Sequence, residues 1–221
     1  MIARTDFEGD SNVGAYGIAT DRFMFASSNM SEKAMDVIER TFNLPLVQGT
    51  VATLDAVGLV CAANSNGILV PYTTTDEELT QLRASSEVPV DWIEDKMTAL
   101  GNIIAANDHG AICHPDFDAK ARRKIGDVLD VEVVPGRLAR LPIVGANSIV
   151  TNSGAIVHPM STSEEIDLLS QLLKVQVEVG TVNRGSPYTS LGVIANIDGM
   201  IAGSETTGVE LAHISQVLGF V

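Results

Sequence analysis

The sequence predicts an α/β fold in which five similar units form a closed ring. Two glycine series and one helix-capping pattern repeat at intervals of about 44 residues along the 221-residue chain. Units of this length bury their apolar surfaces against their neighbours rather than alone. The expected repeats, within a single domain, are 1–45, 46–88, 89–130, 131–174 and 175–221.

The first glycine series marks the turn of a β-hairpin in each unit. An Asn or Asp lies one to three residues before the turn glycine, and an apolar strand follows it, as in Asn64-Ser65-Asn66-Gly67-Ile68-Leu69-Val70. A second apolar run, Val57-Gly58-Leu59-Val60-Cys61-Ala62, approaches the same turn and is predicted as the entering strand. Intervals of 43 to 45 residues separate the members of this series, which are Arg22, Gly67, Gly110, Gly154 and Gly199.

The second glycine series lies on the strand that enters each hairpin. Equivalent positions in a fivefold ring gather on one face, so these residues are expected to lie together. Small residues expose backbone that a flat protein partner can approach, so these positions could form a binding surface. The alternative interpretation is structural: small residues let the strands pack closely around the axis. The series comprises Gly14, Gly58, Gly101, Gly145 and Gly192.

A Thr-x-x-Glu pattern follows the hairpin and predicts the start of a helix. In such a capping box the Thr hydroxyl and the Glu carboxylate bind backbone N–H groups of the first helical turn. Apolar residues at helical spacing follow each pair. The predicted pairs are Thr75 with Glu78, Thr162 with Glu165, Thr207 with Glu210 and, in the first unit, Asn29 with Glu32.

One further strand follows each helix, and its position predicts how the chain closes. Leu46 to Val51 follows the first helix, whereas the last helix runs almost to Val221 and no strand follows it. Met1 to Phe7 occupies the equivalent place without a preceding helix. The N-terminal strand is therefore expected to complete the last unit and to leave no exposed sheet edge.

Composition excludes several classes of function. With 28 acidic and 14 basic residues, the formal net charge is −14, which disfavours nucleic acid as the main partner and favours a basic protein surface. Cys61 and Cys113 are too few for a disulfide scaffold. Neither a secretory signal nor a membrane-spanning run is seen, so a cytoplasmic location without membrane contact is expected.

Three further motifs stand in order along the chain. They are Gly67-Ile68-Leu69-Val70-Pro71 with Thr73-Thr74-Thr75-Asp76-Glu77-Glu78-Leu79, Ala99-Leu100-Gly101-Asn102 with Ala106-Asn107-Asp108, and Gly180-Thr181-Val182-Asn183-Arg184-Gly185-Ser186. Together they resemble the translation initiation factor 6 family of ribosome anti-association factors. The resemblance spans Arg4 to Val217. It implies the pentein fold, a propeller-like ring with pseudo-fivefold symmetry.

The resemblance also implies a partner and a role. Members of the family bind the large ribosomal subunit on its intersubunit face, chiefly through an L14-type ribosomal protein near the sarcin-ricin loop, and block the small subunit. The extended eukaryotic C-terminal tail has no counterpart before Val221, which suggests an archaeal-type member. No chemistry, no cofactor and little or no direct RNA contact are implied, and a monomer is expected.

Asn102 matches a family position implicated in the ribosomal-protein contact. The equivalent residues in the other units are Ala15, Leu59, Ala146 and Val193, so the fold itself does not require Asn at this position. The alternative is a local backbone irregularity. Asn183 and Arg184 form either a binding loop or a plain turn. The full set of predicted ribosome-binding residues is Asn12, Gly14, Gly58, Leu59, Gly101, Asn102, Gly145, Asn183, Arg184 and Gly192.

The rival interpretation is catalytic, since several penteins modify guanidine groups with a cysteine nucleophile. That cysteine lies near the end of the last unit, and Gly185 to Val221 contains none. His114 and His158 occupy equivalent positions in two units, each directly before a proline. This repetition indicates an architectural role rather than a metal site. A scaffold for another protein partner is a third possibility. Only the family motifs favour ribosome binding over it.

Overall fold

The computed structural model describes all 221 residues and consists of five three-stranded sheets and seven α-helices, consistent with a fivefold repeat. The strands are β1 (Ile2–Thr5), β2 (Gly17–Ala19), β3 (Met24–Ser27), β4 (Leu46–Gly49), β5 (Ala62–Asn64), β6 (Gly67–Pro71), β7 (Val90–Ile93), β8 (Ile104–Ala106), β9 (Gly110–Cys113), β10 (Glu132–Pro135), β11 (Ser148–Val150), β12 (Gly154–Val157), β13 (Gln176–Val179), β14 (Val193–Ala195) and β15 (Met200–Gly203). The helices are α1 (Glu32–Phe42), α2 (Val57–Val60), α3 (Asp76–Ser85), α4 (Leu100–Ile103), α5 (Ala119–Leu129), α6 (Ser163–Leu173) and α7 (Gly208–Val217).

Every sheet has the same topology. A short first strand pairs antiparallel with the second, a helix follows, and the third strand returns parallel to the second. This order is the predicted strand, turn, strand, helix and strand. The five sheets, here numbered as units one to five, are β2-β3-β4, β5-β6-β7, β8-β9-β10, β11-β12-β13 and β14-β15-β1.

The N-terminal strand completes the fifth sheet, as the sequence predicts. β1 runs parallel to β15, with Ile2 opposite Met200 and Thr5 opposite Gly203. The expectation of no exposed sheet edge is wrong, however. The third strand of each sheet has a hydrogen-bonded partner on one side only, because β1 fills a place within one sheet and does not join two sheets.

The core consists of five apolar clusters, and each is shared by two neighbouring units. Strand alternation explains the sharing, since successive side chains point to opposite faces. In β3, Met24 and Ala26 pack in the cluster between units five and one, whereas Phe25 packs in the cluster between units one and two. Ile194 and Ile201 of unit five lie in the former cluster. The units therefore bury their apolar residues jointly, as expected.

The helix caps match the prediction in three units and differ in the first. Complete capping boxes start α3, α6 and α7. In the first unit the cap is Ser31, whose hydroxyl accepts from the Ala34 N–H, so the pairing of Asn29 with Glu32 is wrong. Asn29 lies two residues before the cap and donates to Asp55 instead.

The run that enters each hairpin begins as a helical turn rather than a strand. Val57–Val60 forms α2, and only Ala62–Asn64 is extended, which corrects the predicted strand over Val57 to Ala62. The same place holds α4 in unit three and 3-10 turns at Val13–Ala15 and Thr189–Gly192. These turns contact one another across the units, α2 with α4 and the two 3-10 turns with each other.

Two members of the glycine series are reassigned by the structure. In the first unit Thr20 Oγ1 accepts from Phe23 N–H, and in the second unit Asn64 Oδ1 accepts from Gly67 N–H in the same way. Phe23, rather than Arg22, is therefore equivalent to the turn glycine Gly67. In the second series Ser190, not Gly192, takes the fifth place, because a Cβ on Gly14 would lie 1.8 Å from the Ser190 carbonyl oxygen.

Candidate protein-binding face

Topology places most of the predicted site residues at one end of the sheets. First strands start, second and third strands end, and helices begin at this end. We call this end the glycine face; it comprises Gly14, Gly58, Gly101, Gly145 and Ser190, together with the turns that follow the five third strands. The opposite end, with the hairpin turns and helix C-termini, is the hairpin face.

Backbone packing accounts for the glycines. A Cβ on Gly58 would lie 2.0 Å from the Gly14 carbonyl oxygen, and one on Gly101 would lie 2.1 Å from the Gly58 oxygen. Gly145 has the same relation to Gly101. Ser190 continues the series, since its hydroxyl donates to the Ala146 oxygen at 3.3 Å. Contacts thus run from each unit to the next and from unit five back to unit one.

The side chain of Asn102 is the exception within this face. It is half-buried, and its carboxamide makes no hydrogen bond within the protein, although the Asn102 carbonyl accepts from Ala146 N–H at 3.1 Å. Equivalent positions carry Ala15, Leu59, Ala146 and, after the reassignment of Ser190, Leu191. Because nothing inside the fold uses this amide, it is available to an external partner.

Asn183 differs, because its side chain is occupied within the protein. Its Nδ2 donates to the Ser11 carbonyl oxygen at 2.9 Å, and its Oδ1 accepts from the Thr206 hydroxyl at 3.0 Å. The contact with Ser11 links the turn before unit five to the turn before unit one. Gly192 is buried, and an added Cβ would meet the Val182 side chain at 2.5 Å, so it too serves packing.

Asn12 and Leu59 lie beside the glycines with their surfaces partly accessible. The Asn12 amide donates to Asp10 Oδ1 at 2.9 Å, and its backbone N–H donates to the same oxygen at 2.8 Å. Leu59 is half-buried in α2. Arg184 is exposed in the turn after β13.

Capping-box glutamates also hold the turns of the glycine face. Glu78 accepts from Thr53 N–H at 2.8 Å, and Glu165 accepts from Ala139 N–H at 2.9 Å. Burial pushes the pKa of Glu78 upward, but hydrogen bonds from Thr75, Thr50 and Thr53 together outweigh it, so the net pKa is lowered. Each such carboxylate therefore joins a helix N-terminus to the turn that precedes its unit.

Buried asparagines at the hairpin face hold neighbouring units together, a role beyond that of the turn residues predicted from the sequence. Asn107 Nδ2 donates to the carbonyl oxygens of Thr151 and Leu173 in the next unit, at 3.1 and 2.9 Å. Asn64 makes the equivalent pair of bonds to Asn107 and Leu129. Their recurrence three residues before the turn glycine is the signal that could have identified them.

A central cavity of about 140 Å³ separates the two faces and is lined by all five units. At its hairpin end the Asn152 amide donates to the carboxylates of both Asp21 and Asp108, at 2.6 and 2.7 Å. Asp108 in turn accepts from Ser65 N–H, and Asp21 accepts from Ile197 N–H. Side chains of separate units thus meet across the cavity mouth.

The cysteines and histidines give no support to the catalytic interpretation. Burial raises the pKa of Cys61 well above its ordinary value and that of Cys113 to about 11, so both thiols stay protonated. His114 and His158 each accept a backbone N–H two residues later through Nδ1, as expected for an architectural slot. No group of three or more potential metal ligands is present. None of the helices has the length and apolarity needed to span a bilayer.

The fold and this face define a class of α/β repeat protein whose exposed features suit protein contact. The eIF-6 family matches residues 2–217 of the chain. The chain therefore belongs to the eIF-6 family. It is 39% identical over 225 residues to translation initiation factor 6 of Pyrococcus horikoshii, covering 100% of this chain and 99% of the relative.

Relatives occur in both archaea and eukaryotes. The chain is 39% identical to eukaryotic translation initiation factor 6 of Encephalitozoon cuniculi, over 98% of this chain and 91% of that protein. It is 34% identical to translation initiation factor 6 of Haloquadratum walsbyi, over 100% of this chain and 97% of that protein. The family resemblance stated from the sequence motifs is confirmed.

Proposed function

We propose that the protein acts in translation by binding the large ribosomal subunit and preventing its association with the small subunit. The free carboxamide of Asn102 on the glycine face is the observation that carries this proposal. Among the packed backbone around the cavity, it is a polar group with no role inside the fold. Membership of the eIF-6 family supplies the class of partner.

The glycine face fits a protein partner on the intersubunit side of the large subunit. Around the cavity it presents glycines and other small residues rather than large side chains, which suits docking against an L14-type ribosomal protein near the sarcin-ricin loop. The net charge of −14 favours a basic ribosomal protein over bare RNA. Charge is screened beyond about 8 Å, so exclusion of the small subunit is mainly steric.

The contacts between neighbouring units support a closed pentein ring acting as one rigid body. Hydrogen bonds and backbone contacts link unit five to unit one, among them Asn196 Nδ2 to the Thr20 oxygen at 2.9 Å. A rigid body of this kind blocks a docking surface without chemistry of its own. We propose that it works as a cytoplasmic monomer and needs no cofactor.

Sedimentation with separated ribosomal subunits tests the proposal. We expect the purified protein to comigrate with the large subunit and to reduce formation of joined ribosomes when the small subunit is added. Comigration with the small subunit alone, or with neither subunit, would overturn the proposal.

A matched pair of variants tests the part played by Asn102. Asn102→Ser removes the free carboxamide, and Gln216→Ser removes an exposed carboxamide from the distant end of α7 that also has no hydrogen-bond partner. We expect weaker large-subunit binding for the first variant only, with unchanged thermal unfolding for both. Equal binding by both variants would remove Asn102 from the interface.

A further inference from the structure

Charge on the glycine face does not follow the fivefold repeat. One residue in each turn after a third strand occupies an equivalent place, at intervals of 43 or 44 residues. Three consecutive units carry a cation there, and the other two carry none. In chain order these tip residues are Gly9, Thr53, Lys96, Arg140 and Arg184.

The three tip cations are free of intramolecular partners. Lys96, Arg140 and Arg184 are exposed, and none of them takes part in the five ion pairs of the protein. The carboxylates beneath the two arginine turns are engaged by backbone, since Glu165 accepts from Arg140 N–H and Glu210 accepts from Arg184 N–H. The guanidinium groups therefore remain available at the surface.

These arginine turns are held in a costly backbone conformation. Arg140 has φ of 65° and Arg184 has φ of 62°, in the left-handed region that non-glycine residues rarely adopt. The carboxylates of Glu165 and Glu210 hold both turns in place. The backbone positions of Arg140 and Arg184 on this face are consequently fixed.

The remaining two sectors of the face are acidic. Glu8 and Asp10 flank the tip of the first turn, and Asp55 follows the second turn. All three raise the pKa of half-buried Tyr16, after the larger effect of its burial. None of the three forms an ion pair. In the third turn Glu94 and Asp95 precede Lys96, so that turn is acidic on balance. Acidic residues thus dominate the first three turns of the face, whereas the fourth and fifth turns, with Arg140 and Arg184, are cationic.

A fivefold pseudosymmetric face poses a problem of orientation for any partner. Backbone packing around the cavity is nearly the same in every unit, so shape alone offers similar docking registers about 72° apart. Blocking a particular surface of the large subunit requires one register. Specificity between similar modes commonly rests on a repulsive element as well as an attractive one.

We propose that the charge division selects a single rotational register, with the acidic sectors over a basic protein segment of the large subunit and the two arginine tips turned away from it. This inference rests on the proposed function and adds the orientation of the bound protein. Registers that bring Arg140 or Arg184 onto the basic segment are disfavoured by like-charge repulsion. The arginine tips thus act by excluding wrong orientations rather than by binding, which differs from the binding role that the sequence predicts for Arg184.

Cross-linking from two equivalent positions tests the register. A photoreactive side chain is placed at Leu54 or at Leu141, which are exposed and follow equivalent turns. Large subunits are then cross-linked with the wild-type tips and with the tip variant Arg140→Glu, Arg184→Glu. The control variant Arg123→Glu, Lys174→Glu makes the same change of charge at exposed positions away from the tips.

With wild-type tips and with the control, we expect Leu54 and Leu141 to cross-link to different ribosomal components. With the tip variant, we expect binding to persist while both positions yield the same mixture of products. Mixed products with wild-type tips, or unchanged distinct products with the variant, would overturn the register. A loss of affinity of about tenfold or more in the variant would overturn it too, since the cations would then bind a phosphate or acidic surface directly.

Failure of the proposed function is distinguishable from failure of the register. If the wild-type protein does not bind large subunits, the proposed function falls and the register with it. If the wild-type protein binds but its cross-links are not position-specific, only the register falls.

Discussion

Glu210 and Gly185 lie 25 residues apart and are joined by a 2.8 Å hydrogen bond from the Gly185 N–H to the Glu210 carboxylate. The same carboxylate accepts from Thr207 N–H at 2.7 Å, which caps α7. One side chain therefore fixes both a helix start and a surface turn. Glu78 and Glu165 repeat the arrangement in two other units.

We expect Glu210→Gln to lower the free energy of unfolding by about 1–2 kcal/mol, because an amide replaces the charged acceptor at both the cap and the turn. Urea unfolding followed by circular dichroism measures the change. Glu205→Gln is the control, since Glu205 is exposed on a nearby loop and makes no side-chain hydrogen bond. Its effect is expected within about 0.5 kcal/mol. Equal effects would show that the contacts of Glu210 contribute nothing specific.

Acid is expected to weaken the fold through these glutamates. The pKa values of Glu78 and Glu210 are lowered from 4.5, since their hydrogen bonds together outweigh the effect of burial. A carboxyl with a lowered folded pKa stabilises the fold above its unfolded pKa, and this contribution is lost as the pH falls through the folded value. Urea midpoints measured from about pH 6 to about pH 3 should fall less steeply in the double variant Glu78→Gln, Glu210→Gln than in the wild type. Identical slopes would contradict this assignment.

Asn107 is expected to stabilise both its own turn and the contact with the next unit. Asn107→Ala should cost about 3 kcal/mol or more, because it leaves the buried carbonyls of Thr151 and Leu173 and two turn N–H groups without their partner. Asn107→Thr should cost less, because Thr151 and Thr20 hold the equivalent turns with a hydroxyl acceptor. Thermal or urea unfolding of the pair measures the difference. Equal losses would show that the turn bonds contribute little.

Gly58→Ala should be among the most damaging single substitutions in the protein. The new Cβ would lie 2.0 Å from the Gly14 oxygen and 3.0 Å from the Gly17 oxygen, and backbone atoms cannot move away without disturbing unit one. We expect a loss of about 3 kcal/mol or more. Gly208→Ala, in α7 with no neighbouring atom within 4 Å, should instead stabilise by about 0.5–1 kcal/mol. Melting temperatures in opposite directions would support this account, and a stable Gly58→Ala protein would contradict it.

Local sequence patterns predicted the elements whose chemistry is complete within a few residues. The boxes at Thr75, Thr162 and Thr207 formed as expected because donor and acceptor lie one helical turn apart. Where the pattern was weaker the prediction failed, since Ser31 rather than Asn29 caps α1. Ser28, Asn29 and Ser31 are all possible caps, so the cap position stays ambiguous until the helix itself is packed.

The sequence by itself determined the number of units, their order of elements and the return of the N-terminal strand to β15. Only the tertiary structure decided that Ser190 replaces Gly192, that Val57–Val60 is helical, and that the Asn102 amide is free while that of Asn183 is bonded. These outcomes depend on atoms of different units approaching within a few ångströms. The periodic sequence shows that similar units recur along the chain. The distances between atoms of neighbouring units are set only when the chain has folded.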